Sequence, residues 1–268
     1  MLFLIATPIG NLADLSQRAL ETLRSSDLIL CEDTRHSQIL LRHYGIEKPL
    51  LSFHQFNEKE REERVLSKLR ENLNVALLSD AGTPLISDPG LWLVQACIRE
   101  SLPFSIIPGP CSPIQALALS GFETERFQFI GFLPRDVGPL KAKLLAALFY
   151  RGTTIAFESP QRLIASLETI EKICPERELA VARELTKTYE ECRRGTASDL
   201  LAHFREHAPR GEIVLLMREG KPPEEELGVV EMVGILQELH GLSSKEAIKA
   251  AAKLKDLPKS EVYRQIHT

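Results

Sequence analysis

The sequence lacks the patterns that mark several large protein classes. Its five cysteines are odd in number, widely spaced and without a CxxC pair, so neither a zinc site nor a disulfide framework is predicted. The apolar runs fall far short of the ~18 to 20 residues that a membrane span needs. Residues 1–6 carry no basic stretch of the kind that begins a signal peptide. We therefore expect a cytoplasmic protein without a metal site.

Two further absences concern phosphate groups. The sequence contains neither GxxxxGK[ST] nor GxGxxG, the glycine-rich turns that hold phosphates in nucleoside triphosphatases and ordinary dinucleotide enzymes. Both classes are disfavoured. The 268 residues carry a net charge of -4, so binding to a nucleic acid would depend on local basic patches and not on a global positive field.

In the first half, short apolar runs alternate with segments of helical period. The predicted strands are Leu2–Ala6, Leu28–Cys31, Val75–Leu78 and Phe104–Ile107, and the predicted helices lie near Ser16–Arg24, Asn57–Glu71 and Leu91–Glu100. This is a βαβ rhythm. Because the runs are continuously apolar, helices should cover both faces of the sheet, which favours mostly parallel strands.

A second series of the same kind follows after Gly121. It predicts strands at Phe127–Gly131, Thr153–Phe157, Leu179–Ala182 and Ile213–Met217, with helices at Leu140–Phe149 and Leu163–Ile173. The fold class is therefore α/β, with two consecutive α/β domains, 1–120 and 121–220, whose boundary lies near Leu119–Glu125. We expect a ligand cleft between them, since domain interfaces commonly hold pockets.

Residues 219–268 differ in composition from the two predicted sheet domains before them. Residues 219–226 read EGKPPEEE and are typical of a linker. A small helix-turn-helix-like module, 227–268, should follow, with helices at Leu227–Leu239, Ser243–Lys253 and Pro258–Ile266, a terminator at Gly241 and an N-cap at Ser243 or Ser244. From Gly241 onward six basic residues outnumber three acids, which indicates either a basic contact surface or a merely solvated helical face.

Several predicted strands break into turns of small residues. Asp80–Pro84 offers a carboxylate, a hydroxyl and two small residues for close approach, and Pro108–Pro113 is a rigid, proline-rich turn. In open α/β sheets, ligands bind outside the carboxyl ends of the strands. The alternative for each turn is a capped loop that leads into the next helix.

Charged residues follow two other strands. Glu32–His36 and Arg183–Lys187 each bring both signs of charge to a strand end. Asp33 could instead cap a helix that begins near Ser37, and a Glu32–Arg35 ion pair is the simpler alternative. The seven charged residues from Glu58 to Arg64 we assign to a solvated helical face.

Taken together, six motifs resemble the tetrapyrrole methylase-like family, and within it the branch that methylates small-subunit ribosomal RNA. The motifs are TPIGNL (7–12), EDTRH (32–36), SDAGTPLISDPG (79–90), PGPCS (108–112), FESPQRL (157–163) and ARELTK (182–187). The resemblance implies methyl transfer from S-adenosylmethionine to the ribose 2′-hydroxyl of a cytidine in the decoding region, by a homodimer.

The resemblance also implies which residues bind the cofactor. Together with Asp80 from the strand-end turn, the candidate cofactor residues are Pro8, Gly82, Thr83, Ile86, Cys111, Ser112, Phe157, Glu158 and Ala182. One departure is that AlaGlyThrPro stands where relatives commonly have GlyGlyAspPro, so Thr83 replaces an acid.

Methyl transfer to a hydroxyl should benefit from a general base and from a cation near the developing alkoxide. The candidates are Glu184 or Asp33 as the base, and Arg35, Arg183 or Lys187 as the phosphate or alkoxide contact. Each could equally form an internal salt bridge. Two other functions stay open: a methyltransferase of the same fold acting on a tetrapyrrole, and a noncatalytic RNA-binding assembly protein.

Overall fold

The structure is a computed structural model that describes residues 1–54, 56–148, 150–219 and 228–267. The chain forms two compact units. Unit 1 comprises Met1–Gln115 together with Glu184–Glu190, and unit 2 comprises Ala116–Arg183 together with Glu191–Thr268. The division after residue 115 falls a few residues before the predicted boundary, and the short segment 184–190 belongs to unit 1 although it follows a strand of unit 2.

Unit 1 is built on a five-stranded sheet in which every pair of neighbours is parallel. Its strands are β1 (Leu2–Ile5), β2 (Leu28–Cys31), β3 (Leu50–Ser52), β4 (Val75–Leu78) and β5 (Phe104–Ile107), in the order β3-β2-β4-β1-β5. β2 and β4 are buried at every position, as expected for strands covered on both faces. The predicted α/β class and parallel sheet are confirmed.

Within the described residues, five α-helices and a short 3₁₀ helix at Leu12–Asp14 accompany this sheet. The α-helices are α1 (Gln17–Ser25), α2 (Thr34–His43), α3 (Glu58–Arg70), α4 (Leu91–Arg99) and α5 (Ser112–Ser120), of which α5 crosses the division between the units. α2 begins three residues earlier than predicted, with Asp33 as its N-cap. The assignment of Glu58–Arg64 to a solvated face is wrong at its first residue, because Glu58 is only 4% exposed.

Unit 2 contains a mixed five-stranded sheet. Its strands are β6 (Phe127–Phe132), β7 (Thr153–Glu158), β8 (Leu179–Arg183), β9 (Glu191–Gly195) and β10 (Ile213–Met217), in the order β6-β7-β10-β8-β9. Only β6 and β7 pair in parallel. Helices α6 (Val137–Leu148), α7 (Pro160–Ile173) and α8 (Ala197–Glu206) pack on this sheet around a core that includes Leu163, Leu200 and Phe204.

Three further helices close the chain. They are α9 (Val229–His240), α10 (Ser244–Leu254) and α11 (Lys259–His267). Gly241 ends α9 in the left-handed conformation, and Ser243 caps α10 through a capping box with Glu246, so the predicted terminator and the first of the two predicted caps are confirmed. The predicted linker lies outside the described residues from position 220 onward, as does residue 227 where the module was predicted to begin.

The C-terminal helices share a core with α6 and α7. Leu145, Ile173 and Cys174 pack against apolar residues of α9, α10 and α11. The three helices are therefore part of unit 2 and are not a separately packed appendage. No helix in the described parts of the chain is long and apolar enough to cross a membrane.

Candidate active site

The carboxyl ends of β1 and β4 are joined by a backbone clamp. Thr7 N donates to Gly82 O at 2.8 Å, Gly82 N donates to Thr7 O at 3.1 Å, and the Thr7 hydroxyl donates to Ser79 O at 3.0 Å. Gly82 has a φ of 88°, a conformation that glycine adopts without strain. The clamp fixes the start of the loop 79–90 beside the turn that contains Pro8.

A second contact joins this loop to the turn after β5. The Thr83 hydroxyl donates to Pro110 O at 2.9 Å, a bond that an ionised carboxylate could not make because it has no proton to donate. Within that turn, Cys111 N donates to the side chain of Gln115 at 2.7 Å. A Cβ on Gly109 would lie 3.0 Å from that of Ala6, so the two turns approach closely.

The middle of the loop 79–90 carries backbone strain. Leu85 and Ser87 have φ values of 71° and 66°, in the left-handed region that disfavours side chains with a Cβ. Such residues persist only where their surroundings hold them, and they concentrate at ligand-binding sites. Between them Ile86 is 38% exposed. The loop thus exposes the apolar side chain of Ile86, and the bonds at the ends of the loop must maintain the strained backbone on either side of it.

Asp33 is fully engaged at the start of α2. Its carboxylate accepts from Arg35 N at 2.8 Å and forms an ion pair with the Arg35 guanidinium at 2.7 Å. These bonds lower the pKa of Asp33 to about 2, which makes it a weak proton acceptor. The predicted cap is confirmed, and Arg35 pairs with Asp33 and not with Glu32.

Glu32 was not among the predicted site residues. Its half-buried carboxylate has no hydrogen bond or ion pair within the described residues. Burial raises its pKa, and the charges of Asp80 and Asp33 add to that effect, while His54 opposes it. Asp80 comes from the neighbouring strand end, where its Oδ1 accepts from Asp33 N at 3.2 Å. The sequence feature that could have identified Glu32 is its position directly after the buried strand β2.

The segment 184–190 adds two predicted residues to unit 1. Lys187 Nζ lies 2.8 Å from Glu184 Oε1, so these two candidates form an ion pair. The Thr186 hydroxyl accepts from Asn11 N at 3.1 Å. Glu184 and Thr186 have φ values of 51° and 65°. A Cβ on Gly10 would lie 2.4 Å from Lys187 Cγ, so a glycine is needed where the lysine stem passes.

In unit 2, Arg183 lies at the end of β8 and is held by Glu191, with Nε 2.5 Å from the carboxylate. Glu191 also contacts Arg193 and His203. Burial would raise the pKa of Glu191, but the hydrogen bonds from the two arginines outweigh it, and the pKa lies below its ordinary value. The positive charge of Arg183 is therefore paired with the negative charge of Glu191 within the protein.

The other predicted residues of unit 2 lie in or beside β7 and β8. Phe157 packs against the rings of Phe129 and Phe132 at centroid distances of 4.9 and 5.2 Å. Ala182 is wholly buried within its strand. The Glu158 carboxylate is wholly buried as well and is bound by Ser159, Arg162 and Ser166. Of these three residues, Phe157 is the one that retains partial exposure.

The sequence and the fold both resemble those of known methylases. Residues 1–201 match the family Tetrapyrrole (Corrin/Porphyrin) Methylases. The chain belongs to this methylase family. Two solved methylase structures agree on the fold: uroporphyrin-III-C-methyltransferase from Thermus thermophilus, with a TM-score of 0.57 at 21% identity over 81% of this chain and 94% of the other, and the methyltransferase CobJ, with 0.62 at 17% identity over 85% and 96%.

Two curated relatives are more similar in sequence, and both are named ribosomal RNA small subunit methyltransferase I. The protein from Escherichia coli O157:H7 is 42% identical over 98% of this chain and 93% of its own length. The protein from Thermotoga maritima is 47% identical over 81% of this chain, yet 97% of its own length is matched. About a fifth of this chain therefore has no counterpart in the second relative.

Methylases of this family use S-adenosylmethionine, which is the cofactor of this chain. The carboxyl edge of the parallel sheet has groups that suit it. Gly109 is exposed, Ile86 offers apolar surface, and Asp80 places a carboxylate just after β4. Apolar surface suits an adenine ring, and carboxylates suit ribose hydroxyls, an amine or a sulfonium.

Proposed function

We propose that this methylase transfers the methyl group of S-adenosylmethionine to the ribose 2′-hydroxyl of a cytidine in the decoding region of small-subunit ribosomal RNA. The observation that carries the proposal is the similarity, over nearly the whole chain, to relatives named for methylation of this RNA. The carboxylate of Glu32, which has no partner among the described residues, lies at the edge of the parallel sheet and supports an acceptor whose proton must be removed.

We propose the cofactor contacts unit by unit. In unit 1 they lie on the turns that follow β1, β4 and β5 and at the first residue of α5: Pro8, Asp80, Gly82, Thr83, Ile86, Cys111 and Ser112. In unit 2 they are Phe157, Glu158 and Ala182. Since the side chain of Glu158 is wholly buried and bonded, and Ala182 is buried too, their contribution would come through the backbone or through the shape of the strand ends.

When bound, the cofactor supplies an electrophilic methyl group, and in-line displacement then depends mainly on alignment of the acceptor oxygen. The residues of the chain must hold the ribose and accept its proton. We propose Glu32 as the proton acceptor in preference to Asp33, whose pKa of about 2 and ion pair with Arg35 make it a poor base. Glu184 is a weaker candidate because it is paired with Lys187.

The remaining predicted cations fit roles in RNA binding. Arg35 is largely exposed, with 90% of its side chain accessible, so it can contact a phosphate while it pairs with Asp33. Lys187 and Arg183 are each paired with a carboxylate. A phosphate would have to compete with those acids, so we propose that Lys187 and Arg183 orient their own loops and that Arg35 is the stronger phosphate contact.

The direct test supplies purified protein with tritiated S-adenosylmethionine and three acceptors: small ribosomal subunits, free small-subunit RNA and porphyrin precursors. We expect label in a ribosomal acceptor and, after nuclease mapping, on a cytidine 2′-oxygen that is unmethylated in a deletion strain. Label in the porphyrin alone would assign the chain to tetrapyrrole methylation. Absence of transfer to every acceptor, with RNA still bound, would indicate a noncatalytic assembly protein.

The C-terminal helices offer a basic surface for the RNA. Lys245, Lys249 and Lys253 recur every four residues on α10, are exposed, and form no ion pair within the described residues. A spacing of four places them on one face of the helix. Because the proposed proton acceptor and cofactor contacts all lie between residues 8 and 182, we propose that this face adds affinity for RNA and is not needed for the chemical step.

Changing all three lysines to alanine should weaken binding to small-subunit RNA about tenfold or more at physiological salt, because each phosphate contact contributes by releasing counterions. The slope of log Kd against log salt should fall by roughly 0.7 for each contact that is lost. The measurement is a filter-binding titration at several salt concentrations, with methylation at saturating RNA expected to stay near wild type.

A charge-matched control changes three exposed basic residues elsewhere, Arg24, Arg42 and Lys172, to alanine. It should bind RNA nearly as well as the wild type. Equal weakening in both triple variants would mean that net charge alone matters, and an unchanged lysine variant would remove α10 from the proposed interface. Substitution is a cleaner test than truncation, because removal of the helices would expose Leu145 and its neighbours.

We also propose a homodimer. The edge strands of both sheets expose large apolar side chains, Phe104 and Ile106 on β5 and Phe127 and Phe132 on β6. Exposed apolar edges favour association. Sedimentation equilibrium of the purified chain would contradict the proposal by giving the mass of a single 30.1 kDa chain.

A further inference from the structure

The residue at the N-cap position of α4 cannot cap the helix with a side chain. Gly90 stands at the N-cap position with a φ of 117° and makes no side-chain cap bond. A Cβ at this position would lie 2.5 Å from Leu77 Cδ2, so a capping residue with a side chain does not fit. The free N–H groups at this helix start therefore need an acceptor other than the N-cap residue.

Glu58 is that acceptor. Its Oε1 accepts from Gly90 N and from Trp92 N, each at 3.2 Å, although it lies more than thirty positions away in the first turn of α3. Only 4% of Glu58 is exposed. A buried carboxylate is costly unless it is hydrogen-bonded, and the positive end of a helix is a favourable place for it. In a local capping box, two side chains each accept one backbone N–H group. Here the Glu58 side chain alone accepts both bonds.

These bonds hold the far end of the loop 79–90. The near end is held by the Thr7–Gly82 clamp, and the middle by the bond from Thr83 to Pro110. The strained residues Leu85 and Ser87 lie between the middle anchor and the end that Glu58 holds. Loss of the anchor at Gly90 and Trp92 would weaken the restraint on the segment around Ile86 and favour relaxation toward unstrained backbone.

We propose that Glu58 is a positioning residue for cofactor binding, because its carboxylate caps α4 at Gly90 and Trp92 and thereby keeps the Ile86 segment in its strained, ligand-ready conformation. Glu58 does not have to touch the ligand. The inference rests on the proposed assignment of this loop to S-adenosylmethionine, and it deepens that assignment by naming the distant residue on which the loop depends.

The test measures S-adenosylmethionine affinity by calorimetry in matched variants. Glu58→Ala should raise the Kd about tenfold or more, as expected when two hydrogen bonds to a charged acceptor are lost. Glu58→Gln, which keeps an oxygen at the same reach, should recover most of the affinity. Glu60→Ala is the control, since Glu60 lies in the same helical turn but is exposed, and its Kd should match the wild type.

Steady-state kinetics separate positioning from catalysis. In Glu58→Ala, the KM for S-adenosylmethionine should rise while kcat at saturating cofactor stays near the wild-type value. Wild-type affinity in a folded Glu58→Ala variant would overturn the inference. If that variant does not unfold cooperatively, Glu58→Asp replaces it: aspartate keeps the charge but is one methylene too short, so weaker binding supports the cap and unchanged binding overturns it.

The same titrations distinguish this inference from the proposed function. If the wild-type protein itself does not bind S-adenosylmethionine, the proposed cofactor assignment fails. Ile86→Ala tests the loop itself, and wild-type affinity in that variant would count against the assignment of the loop. If Ile86→Ala binds more weakly while every Glu58 variant binds as well as the wild type, the loop assignment stands and only the role of Glu58 is wrong.

Discussion

Replacing Glu32 with glutamine should lower the single-turnover rate of methyl transfer about a hundredfold, the usual scale of general-base catalysis. The physical reason is that Glu32 is half-buried and has no internal partner within the described residues, so its carboxylate is available to a ribose hydroxyl. Glutamine keeps the size and loses the proton acceptor. Quenched-flow transfer of labelled methyl to small ribosomal subunits, at saturating cofactor and RNA, measures the rate.

Asp33→Asn is the matched control, because Asp33 is the neighbouring acid and is already paired with Arg35. Its rate should fall much less than that of Glu32→Gln. Binding of S-adenosylmethionine should change little in either variant, which separates a proton-transfer role from a cofactor contact. A Glu32→Gln enzyme that transfers methyl at the wild-type rate would eliminate Glu32 as the base.

The pH dependence follows from the raised pKa of Glu32. The base must be ionised to act, so the rate falls as the pH drops through that pKa. Because burial and the charges of Asp80 and Asp33 raise the pKa, the acid limb should lie at higher pH than for an ordinary glutamate. Asp80→Asn removes one of those charges and should move the limb to lower pH, whereas a limb unchanged in Asp80→Asn and in Glu32→Gln would belong to another group.

The strands were predictable because their physical signal is local. Leu28–Cys31 and Val75–Leu78 have the predicted bounds, since a continuously apolar run in a strand of this length is readable from consecutive residues. β3 and β9 gave no such signal: β3 has only three half-buried residues, and β9 reads ECRRG at the edge of its sheet. Helix α8 carried a readable sign, the capping box between Thr196 and Asp199, that was not used.

For the candidate site, the sequence predicted which strands the residues follow, but not which hydrogen-bond and ion-pair partners they have. Asp33 and Thr83 follow the strands that they were predicted to follow, yet their bonds to Arg35 and Pro110 depend on side-chain and loop geometry. Lys187 was predicted at a strand end of the second domain, whereas its segment belongs to unit 1 and it pairs with Glu184. Glu58 shows the limit most clearly. Within a run of seven charged residues nothing local distinguishes the one that turns inward, because its partners lie at Gly90 and Trp92.

Glu158 leads to the second large effect, on stability. Its wholly buried carboxylate accepts from Ser159 N at 2.8 Å and from the Ser166 hydroxyl at 2.5 Å, and lies 2.6 Å from the Arg162 guanidinium. Arg162 in turn donates to Leu133 O at 2.9 Å. The network ties the end of β7 to the first turns of α7, so Glu158 joins the two elements that flank the predicted cofactor turn.

Glu158→Ala should therefore lower the free energy of unfolding by about 3 kcal/mol, because removal of the wholly buried carboxylate leaves the partly buried charge of Arg162 and the donors of Ser159 and Ser166 without this acceptor. Urea denaturation followed by circular dichroism measures the change. Glu168→Ala on the same helix is the matched control, since its pair with Arg205 is solvent-exposed on both sides, and exposed pairs contribute about 0 to 1 kcal/mol. Equal losses in the two variants would contradict the assignment of a structural role to Glu158. A stable Glu158→Ala protein that has lost cofactor binding would instead restore Glu158 as a direct contact.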